Sequence, residues 1–203
     1  LPASLQTIGD YAFADSGNTA DRDMSLYHVG IKNNSQLVEI GQSAFADCYS
    51  LYSFFIPPSL TSIDYKAFEG SHIREFVVSE NHGSFIASNG VVFSLDNETL
   101  VHFPNRGGIE RVDSSGSVYY EYIIPMTTRF IGSNAFRGNL NLSNINITSM
   151  VTSIGDYAFY DMPNLESIIF AANGQLQSIG NYAFSGAIKI EEIVLPEQTV
   201  ASI

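Results

Sequence analysis

Apolar and polar positions along this chain recur as a repeating block. A hexapeptide of the form Ile-Gly-x-x-Ala-Phe, with Asp in place of Gly in its third copy, occurs six times. Its copies occupy residues 8–13, 40–45, 63–68, 131–136, 154–159 and 179–184. Successive Phe residues are 32, 23, 68, 23 and 25 positions apart, so the base period is 23 and the longer intervals contain insertions. Repetition at this interval predicts stacked structural units, with one repeat in each layer.

A second pattern, Leu-x-x-Ile-x-Ile or a close variant, comes between the hexapeptides. The alternation at its end is the period of a β-strand with one buried face. A single strand of this kind cannot bury its apolar side, whereas stacked copies shield one another. We therefore expect a mainly β repeat solenoid of about seven to eight layers, with strands about 4.8 Å apart. The pattern begins at Leu26, Leu51, Ile73, Tyr119, Leu142, Leu165 and Ile190.

Individual residues predict how each layer turns. Pro57, Pro125 and Pro196 directly follow predicted strands, and proline ends a strand because it cannot donate to the ladder. Ala and Phe of the hexapeptide form a small and large pair that points inward. The Gly after Ile is expected to need a positive φ or a close backbone approach. Asp64 occupies this place in the third copy, which favours the positive φ because Asp tolerates the left-handed region.

The interval of 68 residues predicts an insertion at approximately residues 79–118. Short apolar runs flank the turn residues Asn89 and Gly90, so we expect an inserted β-hairpin there. Residues 105–117 are rich in Gly, Ser and Arg and are expected to form an exposed loop. The pattern resumes near Tyr119, and we interpret residues 1–203 as a single domain.

Charge and composition exclude several classes of partner. Nine basic residues against 21 acidic ones give a formal net charge of −12, which repels a phosphate backbone and an anionic membrane surface. No apolar run approaches the roughly 18 residues that cross a bilayer, so no membrane insertion of this segment is expected. No signal peptide is visible. Both ends stop inside a repeat, which favours a longer parent array.

A search for catalytic and metal-ligand patterns gives no candidate. None of the four histidines has metal-ligand spacing, and nucleophile elbows and phosphate-binding loops are missing from the sequence. We therefore expect no enzyme, no catalytic residue and no cofactor. Cys48, the single cysteine, is interpreted as a small buried filler. Asp15, Asn18, Asp21 and Asp23 crowd one loop and could hold Ca²⁺, but the spacing matches no EF-hand and a solvated acidic loop is favoured.

The repeats resemble those of the BspA-like leucine-rich-repeat family. The stretch 151–159, Val-Thr-Ser-Ile-Gly-Asp-Tyr-Ala-Phe, and the stretch 45–48, Phe-Ala-Asp-Cys, match its consensus closely. The resemblance covers nearly the whole chain and implies a right-handed leucine-rich-repeat superhelix with short helical or 3-10 turns. It also implies a secreted or cell-surface protein active in adhesion, with a host extracellular-matrix or surface protein as a partner.

The outward positions of the predicted strands suggest a binding face. Large apolar residues occupy many of these positions, and an exposed apolar stripe often marks a protein-interaction site. An acidic rim at Glu75, Glu121, Glu166 and Glu191 would suit a partner with basic residues. Two alternatives remain open: a structural spacer array that presents other domains, and a carbohydrate-binding module. The predicted binding residues are Tyr27, Tyr52, Phe55, Val77, Tyr120, Ile123, Ile169 and Val194.

Overall fold

The computed structural model describes residues 1–16 and 25–196, arranged as two compact units. Unit 1 comprises Leu1–Leu95 and Pro104–Arg106, and unit 2 comprises Asp96–Phe103 and Gly107–Ile203. Each unit is a run of parallel coils, so the predicted repeat solenoid is confirmed. Three residues of the acidic loop that was considered for Ca²⁺, namely Asn18, Asp21 and Asp23, lie outside the described residues.

The described part of unit 1 forms two parallel sheets and one hairpin. Its described strands are β1 (Thr7–Ile8), β2 (Glu39–Ile40), β3 (Ser53–Ile56), β4 (Ser62–Ile63), β5 (Glu75–Val78), β6 (Phe85–Ser88) and β7 (Val91–Ser94). The short strands β1, β2 and β4 pair in that order, and β3 pairs with β5. Antiparallel β6 and β7 form the predicted inserted hairpin around Asn89 and Gly90.

Unit 2 repeats this arrangement. Its described strands are β8 (Thr99–His102), β9 (Ile109–Val112), β10 (Val118–Ile123), β11 (Phe130–Ile131), β12 (Asn144–Ile147), β13 (Ser153–Ile154), β14 (Ser167–Phe170) and β15 (Ser178–Ile179). The longer strands β10, β12 and β14 form one parallel sheet. The strands β8, β11, β13 and β15 pair in parallel in that order.

Residues 105–117 are not wholly a loop, contrary to the expectation from their composition. β9 lies within this stretch and pairs antiparallel with β10. The turn between the two strands is closed by Asp113, whose Oδ1 accepts hydrogen bonds from Ser115 N at 2.7 Å and Ser117 N at 2.9 Å. The Ser115 hydroxyl donates to the same oxygen at 2.6 Å, and together with these backbone donors it holds the pKa of Asp113 below the usual range.

The Phe side chains of the hexapeptides stack from coil to coil. In unit 1 the ring of Phe45 lies 5.1 Å from that of Phe13 and 5.4 Å from that of Phe68, with interplanar angles of 8° and 9°. In unit 2 the ring of Phe159 lies 5.0 Å from that of Phe136 and 5.2 Å from that of Phe184. This arrangement is the layered core that the repeat predicted.

The segment that carries the hexapeptide is a series of turns. The short helical or 3-10 turns that the resemblance implied are not found, since the described residues contain no α-helix or 3-10 helix. The prediction of a positive φ at the Gly after Ile is wrong. The left-handed residue lies two places later, as at Tyr11 with φ 56° and Tyr157 with φ 57°. There Ala12 N donates to Gly9 O at 3.3 Å, closing a β-turn that needs a positive φ at its third residue.

The alternative role of this glycine, close backbone approach, is correct in several coils. A Cβ atom at Gly155 would lie 2.5 Å from Ser133 N, and one at Gly180 would lie 2.5 Å from Asp156 N. The glycines therefore let consecutive coils touch through their backbones. Asp64 has no positive φ, and its Oδ1 accepts a hydrogen bond from Lys66 N at 2.8 Å.

Residues 99–103 form part of a coil that the hexapeptide search does not detect. Leu100 pairs with Ile131 in the parallel ladder. Phe103 N donates to Ala135 O at 2.8 Å, as Phe136 N donates to Ala158 O, and the Phe103 ring lies 4.7 Å from that of Phe136. The predicted insertion at 79–118 therefore contains a shortened coil, in which Phe follows the ladder residue by three positions instead of five.

His102 at the end of β8 makes the stability of this coil depend on pH. Its Nε2 atom has almost no accessible surface, and burial lowers the pKa of the ring from 6.5 to about 4. Between pH 6.5 and 4 the unfolded chain therefore binds a proton that the folded chain does not. Stability should fall as the pH drops through this window, by on the order of 2 kcal/mol for this residue.

Urea unfolding midpoints of wild type and His102→Gln at pH 7 and pH 4.5 test this expectation. The other titrating groups are common to both proteins, so the difference between the two pH dependences isolates His102. The variant should lose less stability on acidification. Identical losses in both proteins would contradict the assignment.

Candidate functional site

The longer strands of each unit present alternate residues to the core and to the surface. In unit 1 Phe54 and Phe76 are buried, while Phe55 and Val77 lie opposite each other in register on the outer side. In unit 2 an outer row consists of Ile123, Asn146 and Ile169, which are in register on β10, β12 and β14. We call the outer sides of these strands the strand faces.

The predicted binding residues differ in how far they are exposed. Exposed fractions run from 44% for Val77 to 78% for Tyr27 among six of them. Phe55 and Tyr120 are only half-buried, so they offer less surface. Tyr27, Tyr52 and Val194 lie outside the assigned strands. The six exposed residues are Tyr27, Tyr52, Val77, Ile123, Ile169 and Val194.

Tyr120 lies on the same side of β10 as Tyr122, because successive residues of a strand point to opposite faces. Its hydroxyl group donates to Glu110 Oε2 on β9 at 3.0 Å. Tyr122 packs against Phe103 at 4.6 Å, and its burial raises the pKa of the phenol. Tyr120 therefore faces away from Ile123, with which the sequence pattern had grouped it.

Charged residues of the predicted acidic rim are partly paired. Arg111 Nε donates to Glu121 Oε1 at 2.7 Å, and Lys189 Nζ donates to Glu166 Oε1 at 3.2 Å. Glu75 and Glu191 are exposed. On unit 2 a polar row of Glu121, Asn144 and Ser167 runs beside the Ile123 row, so this strand face is mixed and not purely apolar.

The turns of unit 2 carry a group of side chains that the sequence analysis did not single out. We call Arg137, Tyr157, Tyr160 and Tyr182 the tyrosine cluster. The rings of Tyr157 and Tyr182 stack at 5.2 Å with an interplanar angle of 15°, and Tyr160 meets Tyr157 edge-on at 5.5 Å. The Arg137 guanidinium lies 4.2 Å from the centre of the Tyr160 ring. The sequence feature that could have indicated this cluster is the Tyr at the fourth hexapeptide position in two consecutive copies.

The remaining chemistry of the described residues is limited. Cys48 is buried, its thiol donates to Phe13 O at 3.2 Å, and burial raises the pKa of the thiol to about 11, so the reactive thiolate is scarce at neutral pH. In the ranges 1–16 and 25–196, His, Cys, Asp and Glu side chains form no group suited to holding a metal ion. The same ranges include no helix long and apolar enough to cross a membrane.

Comparisons with known proteins agree with this geometry. The sequence profile of the BspA type leucine rich repeat region matches residues 1–89 and 116–203, in six copies. The pneumococcal vaccine antigen PcpA has a similar structure, with a TM-score of 0.63 and 25% identity over 94% of this chain and 48% of that chain. A leucine-rich repeat protein from Eubacterium ventriosum gives a TM-score of 0.63 and 26% identity over 92% of this chain and 44% of its own.

A leucine rich cell surface protein from Faecalibacterium prausnitzii shares the fold, with a TM-score of 0.56 and 18% identity over 98% of this chain and 75% of that chain. This chain spans about half the length of the pneumococcal and Eubacterium structures. A comparison with curated protein sequences gives no match.

Proposed function

We propose, since this chain belongs to the BspA-type leucine-rich-repeat family, that it is a non-enzymatic adhesion protein, secreted or at the cell surface, which binds another protein through its strand faces. The observation that carries the proposal is the outer row of unit 2. Ile123 and Ile169 hold 49% and 57% of their surface exposed on strands fixed by parallel pairing. Exposed branched apolar residues on a rigid sheet are typical of a contact surface.

The charge of the molecule indicates the chemistry of the partner. The chain has a net charge of −12, and Glu75 and Glu191 are exposed near the strand faces. A partner with basic residues around an apolar centre would be attracted over a distance and then bury the isoleucines. A host extracellular-matrix or surface protein fits this description. The likeness to a pneumococcal vaccine antigen supports a surface location.

Replacing Ile123 and Ile169 together by Asp tests the proposal. Binding to a panel of purified extracellular-matrix proteins would be measured by interferometry. We expect the double variant to lose at least about tenfold in affinity, because two buried carboxylates would lack partners and tenfold corresponds to about 1.4 kcal/mol. Ile123→Thr with Ile169→Thr keeps the strand preference and should lose less.

A matched control carries the same two charges elsewhere on unit 2. Val112 and Ile188 are exposed and lie outside the Ile123 row, so Val112→Asp with Ile188→Asp should bind as wild type does. Thermal unfolding followed by circular dichroism would show that all variants are folded. Equal capture by wild type and both Asp variants would overturn the strand-face proposal and favour a spacer role. Capture of oligosaccharides alone would also overturn it.

A further inference from the structure

Arg74 and Tyr52 form a fixed pair beside the strand face of unit 1. Arg74 N and Glu75 N both donate to Tyr52 O, at 2.8 and 3.3 Å, directly before the paired strands β3 and β5 begin. The guanidinium of Arg74 lies 5.2 Å from the centre of the Tyr52 ring, and both residues are exposed. Contact with the ring restricts the guanidinium, while its N–H donors remain in the plane of the group.

The guanidinium of Arg74 has no acidic partner among residues 1–16 and 25–196. The ion pairs of these residues are those of Arg111 with Glu121, Arg129 with Glu98 and Lys189 with Glu166. Arg74 has none, although the chain contains 21 acidic residues. A guanidinium that is restricted and exposed without a carboxylate can form charge-assisted, bidentate hydrogen bonds with an anion from another molecule.

A second arginine adds positive charge near Arg74. Arg106 N donates to Ile73 O at 2.7 Å, and Arg106 Nη2 lies 3.3 Å from His72 Nε2. Burial, and after it the charges of Arg106 and Arg74, lower the pKa of His72, so both guanidinium groups act on the same ring. Two positive charges therefore lie close together in a chain whose net charge is −12.

The surroundings of Arg74 favour a single carboxylate over a polyanion. A sulfated polysaccharide carries many negative charges, which the net charge of −12 would repel. Val77 is 44% exposed and lies opposite Phe55 farther along the same two strands. An acidic side chain with aliphatic neighbours in a protein would match both the guanidinium and this apolar pair. Arg and Tyr are also enriched among the residues that dominate binding at protein interfaces.

We propose that Arg74, held by Tyr52, binds an acidic side chain of the partner protein, whose carboxylate accepts hydrogen bonds from the guanidinium. The inference rests on the proposed function, because it takes the strand faces as contact surfaces. It makes the chemistry of the partner more specific: a carboxylate meets Arg74, and a basic residue meets the adjacent Glu75. Opposite charges placed side by side fix the register of a partner on the sheet.

The side-chain Nε–H resonances of the six arginines, followed by heteronuclear NMR, test the proposal. The probe is a short peptide with glutamate between leucines, and the same peptide with glutamine is its control. We expect the Arg74 resonance to shift and saturate, whereas those of Arg111 and Arg129, which already have carboxylate partners, stay unchanged. The glutamine peptide should bind at least about fivefold more weakly, because it offers no charge-assisted hydrogen bond.

The variant Arg74→Gln should lose at least about fivefold in affinity for the glutamate peptide, measured from the backbone amide of Val77. Tyr52→Leu keeps an apolar side chain and the charge of Arg74, so it should lose less. The matched control Arg129→Gln removes a paired arginine and should bind as wild type does. Thermal unfolding would show that the variants are folded.

Four results would overturn the proposal: no peptide binding, equal binding of the glutamine peptide, undiminished binding by Arg74→Gln, or tighter binding of a sulfated oligosaccharide than of the peptide. The strand-face variant Ile123→Asp with Ile169→Asp should bind the glutamate peptide as wild type does. Its loss of affinity for matrix proteins tests the proposed function alone, so failures of the two proposals are distinguishable.

Discussion

Replacing Phe159 by Ala is expected to lower the free energy of unfolding by about 4 kcal/mol. The Phe159 side chain is fully buried, and its ring lies between those of Phe136 and Phe184 at 5.0 and 5.2 Å. Removing it leaves a cavity that the stacked backbones cannot close, because each coil is held at the spacing of its neighbours' hydrogen bonds. Urea unfolding monitored by circular dichroism would measure the loss.

Phe184→Ala supplies the matched control for this prediction. The Phe184 ring stacks on Phe159 on one side and is itself only half-buried. Its removal should therefore cost about 1 to 2 kcal/mol, well below the loss at Phe159. Equal losses at the two positions would mean that the stack does not form the core of unit 2.

Gly155→Ala is expected to destabilise the chain by about 3 kcal/mol, an overpacking effect at the upper end of the usual range. The added Cβ atom would lie 2.5 Å from Ser133 N and 2.8 Å from Gly132 C. Both contacts are with backbone atoms of the neighbouring coil, so no side-chain rotation relieves them. The coils would have to separate and weaken the ladder between β11 and β13.

Gly9 occupies the same place in the first hexapeptide, but a Cβ atom added there would have no neighbouring atom within 4 Å. Gly9→Ala should therefore be neutral, or stabilising by about 0.5 kcal/mol through the lower entropy of the unfolded chain. The two variants would be compared by their urea midpoints under identical conditions. A similar loss of stability from both substitutions would contradict this explanation. It would show that Gly is needed at this place for its own backbone conformation and not for the close approach of neighbouring coils.

Most of the coil architecture could be read from the sequence because the hexapeptide sets which residues lie in register. Spacing in the chain placed the Phe stack and the ladder through Ile8, Ile40 and Ile63. The coil at Phe103 escaped detection because only two residues separate the ladder residue Leu100 from Phe103, whereas four separate Ile and Phe in the hexapeptide. The sequence analysis assigned the positive φ to the wrong residue. A Gly suits both a positive φ and a close backbone contact, and its presence in the sequence does not show which of the two it serves.

The candidate surfaces were only partly predictable for a related reason. Alternation along a strand shows that Ile123 points outward, and this is a local property of β10. The environment of Tyr120 depends on β9, whose pairing comes from a stretch with little strand character in its composition. The stack of Tyr157 on Tyr182 requires the turn geometry, because it joins residues on neighbouring coils.

The parallel ladder of unit 1 keeps its register whatever the number of residues between its paired positions. Ile8 and Ile40 are 32 residues apart and Ile40 and Ile63 are 23 apart, yet both pairs meet in the same parallel register. Extra residues between a hexapeptide and the following strand therefore do not change which residues pair in the ladder. A foreign epitope grafted there should therefore leave the pairing of Ile8, Ile40 and Ile63 unchanged.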